Sequence, residues 1–248
     1  MKTGEGNVEA GGSTPNPEAG KGVDDEDAQP EGPMSDQVPN SGRIDTTDHH
    51  DPAWHVHEVA KDFELIDAWK LPAAGEYEEF CDLTALFLSL DFANNEGSKA
   101  SNFLFAARVK LGEIFNWDED KALPIPGCEE TSLRERLSPE LRISTDEFDD
   151  GASEFRASEF QVVYQSETES LLELSNSTVH AAVHLAWVST EGRRYVGQMG
   201  VYVKTRGKLG PFYMSAIAPF RHYIVYPALM RRIGSAWQKR GSGIATNS

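Results

Sequence analysis

Residues 169–204 read ESLLELSNSTVHAAVHLAWVSTEGRRYVGQMGVYVK and contain the clearest pattern of secondary structure in the chain. It divides into three runs of mainly apolar and β-branched residues, at Glu169–Leu174, Thr178–Val188 and Tyr195–Lys204. Two short polar turns separate the runs. Strands joined by such short turns lie side by side and run antiparallel. The stretch therefore predicts a three-stranded antiparallel meander.

The two turns also predict which side chains share a face of the sheet. The turn at 175–176 places Leu172 opposite Val179, and a second turn centred on Glu191 places Val183 opposite Met199. A slip of one residue would mix apolar and polar residues on both faces. In the predicted register one face is apolar and holds Leu172, Leu174, Val179, Ala181, Val183, Met199, Val201 and Val203. The other face is polar and holds Glu167, Glu169, Glu173, His180, His184, Gln198 and Tyr202.

Five further elements are predicted before the meander from hydrophobic spacing and capping signals. They are an opening strand Trp54–Leu71 with a break near Lys61-Asp62, a helix Glu76–Leu90, a second helix from Ser101 or Asn102 to Phe115, a short helix Leu133–Leu137 started by a Ser132 and Glu135 capping box, and a strand Phe160–Tyr164.

After the meander, the segment Gly210–Arg240 has apolar residues at helical spacing, and all its charges are basic. Pro219 and Pro227 interrupt it, and each proline removes a backbone donor. The segment therefore predicts a long helix with a kink, or two helical pieces that meet near Tyr226-Pro227.

The composition excludes several classes of protein. The chain has 248 residues and a formal net charge of −17, whereas a general nucleic-acid binder needs a net basic surface. No run reaches about 18 apolar residues, and no apolar stretch follows Met1, so neither a membrane span nor a secretory signal is expected. Cys81 and Cys128 make neither a metal pattern nor a disulfide framework. These features predict a soluble, cytoplasmic protein without a nucleic-acid partner.

Charge is distributed unevenly along the chain. Residues 1–50 hold 3 basic and 11 acidic residues and no aromatic residue, whereas residues 192–248 hold 10 basic residues and no acidic one. A segment such as 1–50 buries too little apolar surface to fold. We therefore expect a disordered tail over 1–50, with Asp48-His49-His50-Asp51 solvated rather than bound to a metal, one domain over 51–240, and a flexible C-terminus over 241–248.

The order strand, helix pair, antiparallel sheet and long C-terminal helix is similar to that of the helix-grip, or START-like (SRPBCC), fold, an α+β fold. Several local motifs also resemble a bacterial family that is known only as a domain of unknown function and that in some proteins follows a short-chain-reductase domain. The resemblance spans about residues 60–238 and rests on SLRERL at 132–137, Val163-Tyr164, ELSNSTVHAAVH at 173–184, Tyr202-Val-Lys204, and Tyr213-Met214 through Pro219-Phe-Arg-His222 to Tyr226-Pro-Ala-Leu-Met230. It implies a curved sheet wrapped around the last helix, with a cavity between them, and a short-chain reductase as partner.

Three histidines are the candidate catalytic residues. His180 and His184 alternate on one strand, so they share a face with nearby glutamates, where imidazole and carboxylate suit acid–base chemistry or a divalent metal. The favoured interpretation is that this polar face points to solvent, as is common in one-sided sheets. His222 is the third candidate, in the basic group formed by Lys204, Arg206, Lys208, Arg221 and His222, which suits a carboxylate or phosphate unless it pairs with the acidic body.

The candidate ligand-binding residues are Tyr202, Tyr213, Met214, Phe220, Arg221 and Tyr226, and no metal or cofactor is expected. Aromatic residues of this kind line apolar pockets or pack in a core. We therefore expect a binding module for a small apolar or amphipathic molecule, held between sheet and C-terminal helix. The alternative is an enzyme of cyclase or dehydratase type that uses the histidines with Tyr202 or Arg221. A peripheral membrane or protein-contact module is the weaker alternative.

Overall fold

The computed structural model describes residues 42–49, 53–90, 123–142, 160–176, 178–207 and 210–244. The chain divides into Met1–Asp36 and Gln37–Ser248, and every described residue belongs to the second unit. The predicted helix up to Phe115, most of the predicted tail and residues 245–248 therefore lie outside the described residues.

Within the described ranges, six strands form one antiparallel sheet. The strands are β1 (Gly42–Ile44), β2 (Glu64–Gly75), β3 (Gln161–Gln165), β4 (Glu169–Ser175), β5 (Val179–Ser189) and β6 (Tyr195–Thr205). Their order across the sheet is β1-β2-β6-β5-β4-β3. The opening strand thus lies beside the last strand, and the predicted meander forms the middle of the sheet.

The helical elements are α1 (Val56–Val59), a 3-10 turn Tyr77–Glu79 that leads into α2 (Phe80–Ser89), a 3-10 turn Leu133–Arg136, a 3-10 turn Glu191–Arg193, α3 (Gly210–Phe220), a π turn Arg221–Val225 and α4 (Tyr226–Ile244). The helix predicted at 76–90 and the capping box at Ser132 and Glu135 are confirmed. The break near Lys61-Asp62 is also confirmed, but the residues before it form a helix rather than a strand.

The predicted register of the meander is wrong by an even number of residues. Leu172 lies opposite Val183 rather than Val179, and Val183 lies opposite Val201 rather than Met199. The first turn lies further along the chain because the Asn176 side chain accepts hydrogen bonds from the two backbone N–H groups of 178 and 179. An even shift keeps every strand residue on its face, so the two predicted faces are confirmed within the strands. Glu167 is the exception, because it lies in the turn before β4 and accepts a hydrogen bond from the Tyr77 hydroxyl.

The apolar face, which we call the helix face, packs against α2 and α4. The sheet contributes large side chains such as Trp69, Leu185 and Met199 to this core. The helices contribute Phe80 and Phe87 from α2, and Leu229, Ile233 and Trp237 from α4. Trp187 donates a hydrogen bond to the carbonyl of Glu76 at 2.9 Å, and Trp237 donates one to the carbonyl of Ala74 at 3.0 Å. The C-terminal helix therefore covers the predicted apolar face of the sheet.

The polar face, which we call the histidine face, does not point to solvent. A second core covers it, and His180 and His184 are completely buried. The cover comes from 54–63 and 123–141, whose apolar side chains face the sheet, among them Val56, Val59, Phe63, Ile125 and Leu133. The favoured interpretation of a one-sided sheet is therefore wrong, because segments outside the meander supply the second layer.

The predicted boundaries of the folded domain are also corrected. Residues 42–49 fall in the predicted tail, yet β1 pairs with β2 and His49 is completely buried. The free edge of β2 provides the backbone partners that this polar segment lacks by itself. At the other end, α4 continues to Ile244, beyond the predicted end at Arg240.

The predicted interruption of the C-terminal helix is confirmed as a π turn between α3 and α4. The backbone N–H of Tyr226 bonds the carbonyl of Arg221, five residues earlier. Pro227 has no N–H to give to the preceding turn, and its ring crowds that turn. A wider turn accommodates the ring, which accounts for the π turn at this position.

Candidate functional site

Three of the predicted site residues converge on one buried carboxylate, Asp67 of β2. His222 Nε2 lies 2.5 Å from Asp67 Oδ1, and Tyr226 donates its hydroxyl to Asp67 Oδ2 at 2.9 Å. Arg221 Nη2 lies 3.1 Å from the same oxygen, and Arg43 Nη2 of β1 lies 3.6 Å from Oδ1. We call these five residues the Asp67 cluster.

The π turn explains why these side chains meet. Residues five apart diverge around an α-helix, whereas a π turn closes on the fifth residue and so directs Arg221 and Tyr226 to the same side. Asp67 lies beside an irregularity of the β2–β6 ladder, on the helix face opposite Val201. The sequence signal for this residue is a single acid between apolar residues, in the run Leu65-Ile66-Asp67-Ala68-Trp69 of the opening strand.

The Asp67 cluster carries more positive than negative charge. One carboxylate faces two guanidinium groups and one imidazole, and the Asp67 side chain is completely buried. Arg221, His222 and Arg43 reach solvent, with side chains 16%, 24% and 54% exposed. Burial is the main cause, and the charge of Asp67 the second, of a pKa of Tyr226 far above its usual value. The Tyr226 hydroxyl therefore stays protonated and donates its hydrogen bond.

An open groove of about 530 Å³ adjoins the Asp67 cluster between β2 and α4. We call it the α4 groove, and its lining is Trp69, Pro72, Pro227, Met230, Arg231, Gly234, Ser235 and Gln238. The Trp69 ring lies 4.8 Å from the Tyr226 ring, so one aromatic contact connects groove and cluster. The groove therefore lies next to the Asp67 cluster, through Trp69 and through Pro227, which follows Tyr226 in the chain.

The remaining predicted ligand-binding residues are placed differently. Met214 lies next to the Asp67 cluster, because Arg221 Nη1 approaches its carbonyl at 3.4 Å. Phe220 is half-buried at the end of α3, and the side chain of Tyr213 lies outside the described part of the chain. Tyr202 is on the histidine face, opposite Ala182. It therefore shares no surface with Arg221, because alternate residues of a strand point to opposite faces.

The predicted basic group is not one patch in the described structure. Lys204 lies 2.5 Å from Asp62, and Arg136 binds the same carboxylate. Arg206 donates to the carbonyls of Pro124 and Asn176. Pairing with acidic and carbonyl oxygens of the body therefore accounts for these two residues, whereas Arg221 and His222 belong to the Asp67 cluster.

On the histidine face, His184 is the centre of a buried chain of hydrogen bonds. Its Nε2 lies 2.9 Å from Glu169 Oε2, and its Nδ1 lies 3.0 Å from Nε2 of His49. The Nδ1 of His49 lies 2.9 Å from Gln198 Oε1. Glu169 also accepts bonds from the His55 backbone N–H at 2.8 Å and from the Tyr164 hydroxyl at 2.7 Å. The prediction that His49 is solvated is therefore wrong.

Opposing effects act on the carboxyl of Glu169. Burial by itself raises its pKa, but the hydrogen bond and charge of His184, with the bonds from His55 and Tyr164, outweigh burial and lower the pKa. Burial mainly, and the charge of Glu169 to a smaller extent, raise the pKa of Tyr202 to about 12. The lowered pKa keeps Glu169 ionised, so its carboxylate accepts the hydrogen bonds from these neighbours.

His180 has a different partner on the same face. Its Nε2 lies 2.8 Å from Glu173 Oε2, and Glu173 also accepts bonds from the backbone N–H of Leu133, at 3.0 Å, and from the hydroxyl of Ser132. These bonds reach the first turn of the 3-10 helix at Leu133–Arg136, so the pair joins the 123–142 segment to the sheet.

Among the described residues, no group of three or more His, Cys, Asp or Glu side chains is arranged to hold a metal ion. No helix in the same ranges is long and apolar enough to cross a membrane.

Comparison with known proteins gives one match. A family model described as "Protein of unknown function (DUF2867)" matches residues 59–228, well over half of the chain. No curated protein and no solved structure matches the chain. The matched range contains β2 to β6, Asp67 and both buried histidines of the sheet. The chain therefore belongs to the DUF2867 family.

Proposed function

We propose that this domain is a binding module of the helix-grip type for a small amphipathic molecule with an anionic group. The apolar part of the molecule would lie in the α4 groove, and the anionic group would contact Arg221 and Arg43 at the rim of the Asp67 cluster. A short-chain reductase, the partner that the resemblance implies, would supply or consume such a molecule in the cytoplasm.

The topology supports the helix-grip part of the proposal. The long strand β2 lies beside the last strand β6, and α2 follows β2 in the chain. The C-terminal helix α4 packs on the same face of the sheet as α2. Helix-grip proteins share this order. In the described residues the core between sheet and α4 is filled by apolar side chains, which favours a ligand beside α4.

The single observation that carries the proposal is that the α4 groove lies next to the Asp67 cluster, with Trp69 in contact with both. Binding sites are concave and mostly apolar, with a few polar groups that orient the ligand. Here Trp69, Pro72 and Met230 form apolar walls, and Trp69 touches Tyr226 of the cluster. Asp67 neutralises one of the cationic groups around it, so positive charge remains for a ligand carboxylate or phosphate.

The test is calorimetry with alkyl carboxylates of increasing length and the matching alkyl alcohols as probes. We expect the carboxylate to bind more tightly than the alcohol, and Arg221→Gln to weaken carboxylate binding about 10- to 100-fold, because hydrogen bonds to charged groups contribute about 1.5–3 kcal/mol. Lys239→Gln, which removes an exposed charge from α4, is the control and should leave the affinity unchanged. Equal binding of alcohol and carboxylate, or equal effects of both substitutions, would contradict the proposal.

A second candidate is an enzyme of cyclase or dehydratase type at the same place. The observation in its favour is the 2.5 Å contact between His222 and Asp67, since a carboxylate beside an imidazole orients a general acid–base group. The experiment is native mass spectrometry of the protein from its own host, followed by incubation of the released ligand with fresh protein. If the protein is this enzyme, His222→Gln should still bind the ligand but leave its mass unchanged, whereas the native chain should convert it. If the native chain does not change the ligand, the enzyme candidate is contradicted and the binding module remains as the proposed function.

A further inference from the structure

Residues 42–49, which we call the N-terminal strap, are held on the sheet at two places. The backbone of β1 pairs with β2, with Gly42 opposite Lys70 and Ile44 opposite Ala68. At its other end the strap inserts the ring of His49, completely buried, into the histidine face. The strap therefore has a backbone attachment, one buried side-chain anchor at His49, and a more exposed ion pair from Arg43 to Asp67.

The anchor fits a slot above Gly200. A Cβ atom at position 200 would lie 2.4 Å from His49 Nε2 and 2.5 Å from its Cδ2, closer than real Cβ contacts. His184 lies opposite Gly200 in the register, and the Trp54 ring lies 4.9 Å from each of the two imidazole rings. Only a glycine at this position leaves room for the imidazole ring.

The contact between the two imidazoles accommodates one proton and not two. His49 Nε2 and His184 Nδ1 are 3.0 Å apart, so one nitrogen donates and the other accepts. If both rings were imidazolium ions, two N–H groups would point at each other and the bond would be lost. Two positive charges would then be adjacent in a buried site, where such repulsion is strong.

A carboxylate within the sheet balances a positive charge on His184. Glu169 contacts the far nitrogen of His184, whereas the far nitrogen of His49 meets the neutral Gln198. In the described part of the chain, further titratable or charged groups lie on each packed element: Arg43, Asp45 and Asp48 on the strap, His55 and His57 on the α1 segment, Lys70 on β2, Tyr164 on β3 and Tyr202 on β6.

We propose that the N-terminal strap is an acid-released latch. When both His49 and His184 are protonated, His49 leaves the slot above Gly200, and residues 42–49 detach from the sheet while β2 to β6 remain paired. Release uncovers Gln198, Gly200 and His184, which are then available to solvent or to a partner. The His184–Glu169 pair keeps the second charge, because it is balanced within the sheet.

The test is hydrogen–deuterium exchange at about pH 7.5 and at about pH 5, on either side of the ordinary imidazole pKa of about 6.5. Protection factors corrected for the intrinsic pH dependence are compared for the strap and for β5–β6. We expect strap protection to fall roughly tenfold or more on acidification, because opening takes up a proton, while β5 and β6 stay protected.

His49→Gln removes the titration but keeps a side chain that donates and accepts, so its strap should show no such fall. His222→Gln is the matched control. It removes a second imidazole, which is connected to the strap through Asp67 and Arg43. The strap of this variant should lose protection at about pH 5 as the native strap does. An unchanged native strap at about pH 5, or an effect that His222→Gln abolishes, would overturn the proposal.

If the strap of His49→Gln does not bind the sheet at either pH, a second variant still tests the proposal. Gly200→Ala should expose the strap already at about pH 7.5, with β5 and β6 still protected, because the slot is filled. A strap that stays protected in Gly200→Ala would show that His49 is not its anchor and would also overturn the proposal.

Discussion

Replacing Asp67 with alanine is expected to lower the free energy of unfolding by about 3 kcal/mol, toward the lower end of the range for breaking a buried ion pair. The substitution leaves Arg221, His222 and Arg43 without their carboxylate. These three side chains reach solvent, which moderates the loss. The buried hydroxyl of Tyr226 also loses its acceptor. Equilibrium unfolding in urea measures the change.

Asp82→Ala is the control for the Asp67 prediction. Asp82 also pairs with an arginine, Arg240, but its side chain is 58% exposed, and exposed pairs contribute about 0–1 kcal/mol. The loss in free energy of unfolding for Asp67→Asn should lie between those of Asp67→Ala and Asp82→Ala, because the amide keeps an acceptor for Tyr226 but has no charge. Equal losses for Asp67→Ala and Asp82→Ala would show that the Asp67 cluster does not stabilise the fold.

Replacing Gly200 with alanine is expected to lower the free energy of unfolding by about 3 kcal/mol, the upper part of the range for overpacking. The new methyl group meets the ring of His49, so the ring or the strand must move. Moving the ring breaks its bonds to His184 and Gln198, and the buried Nδ1 of His184 then loses its partner. Urea unfolding measures this change as well.

Gly42→Ala is the matched control, because no atom lies within 4 Å of the added Cβ at that strand position. The cause can be isolated with a double-mutant cycle. In a His49→Ala background the slot is empty, so Gly200→Ala should lose most of its effect. If Gly200→Ala still lowers the free energy of unfolding by the same amount in that background, the added methyl group conflicts with another atom. Leu65 Cδ1 lies 3.2 Å from the added atom and would be the first candidate.

The meander shows how much of the fold local patterns predict. Alternation along 169–204 separates two faces correctly, although the pairing differs by two and four residues. The pattern repeats every two residues, so it is insensitive to an even shift. The exact register depends on turn geometry, here on the hydrogen bonds of the Asn176 side chain.

The candidate site was predicted only in part. Arg221, His222 and Tyr226 stand out in the sequence as a basic and aromatic segment next to a proline, and the π turn brings them together. Their common partner Asp67 lies more than 150 residues earlier. A spacing pattern reports neighbours along the chain, and a contact of this range leaves no such pattern.

Local sequence patterns do not predict β1 or α1. They do predict strands β3 to β6, the later part of the opening strand, the helices at 76–90 and 210–240, the interruption before Pro227 and the two chemical faces of the sheet. Each of these depends on interactions between residues a few positions apart. Only the tertiary structure decided that the histidine face is covered, that His49 occupies the slot above Gly200, and that Asp67 gathers its partners. Those features arise when segments distant in the chain pack together, because burial depends on which surfaces meet in space rather than on the order of residues.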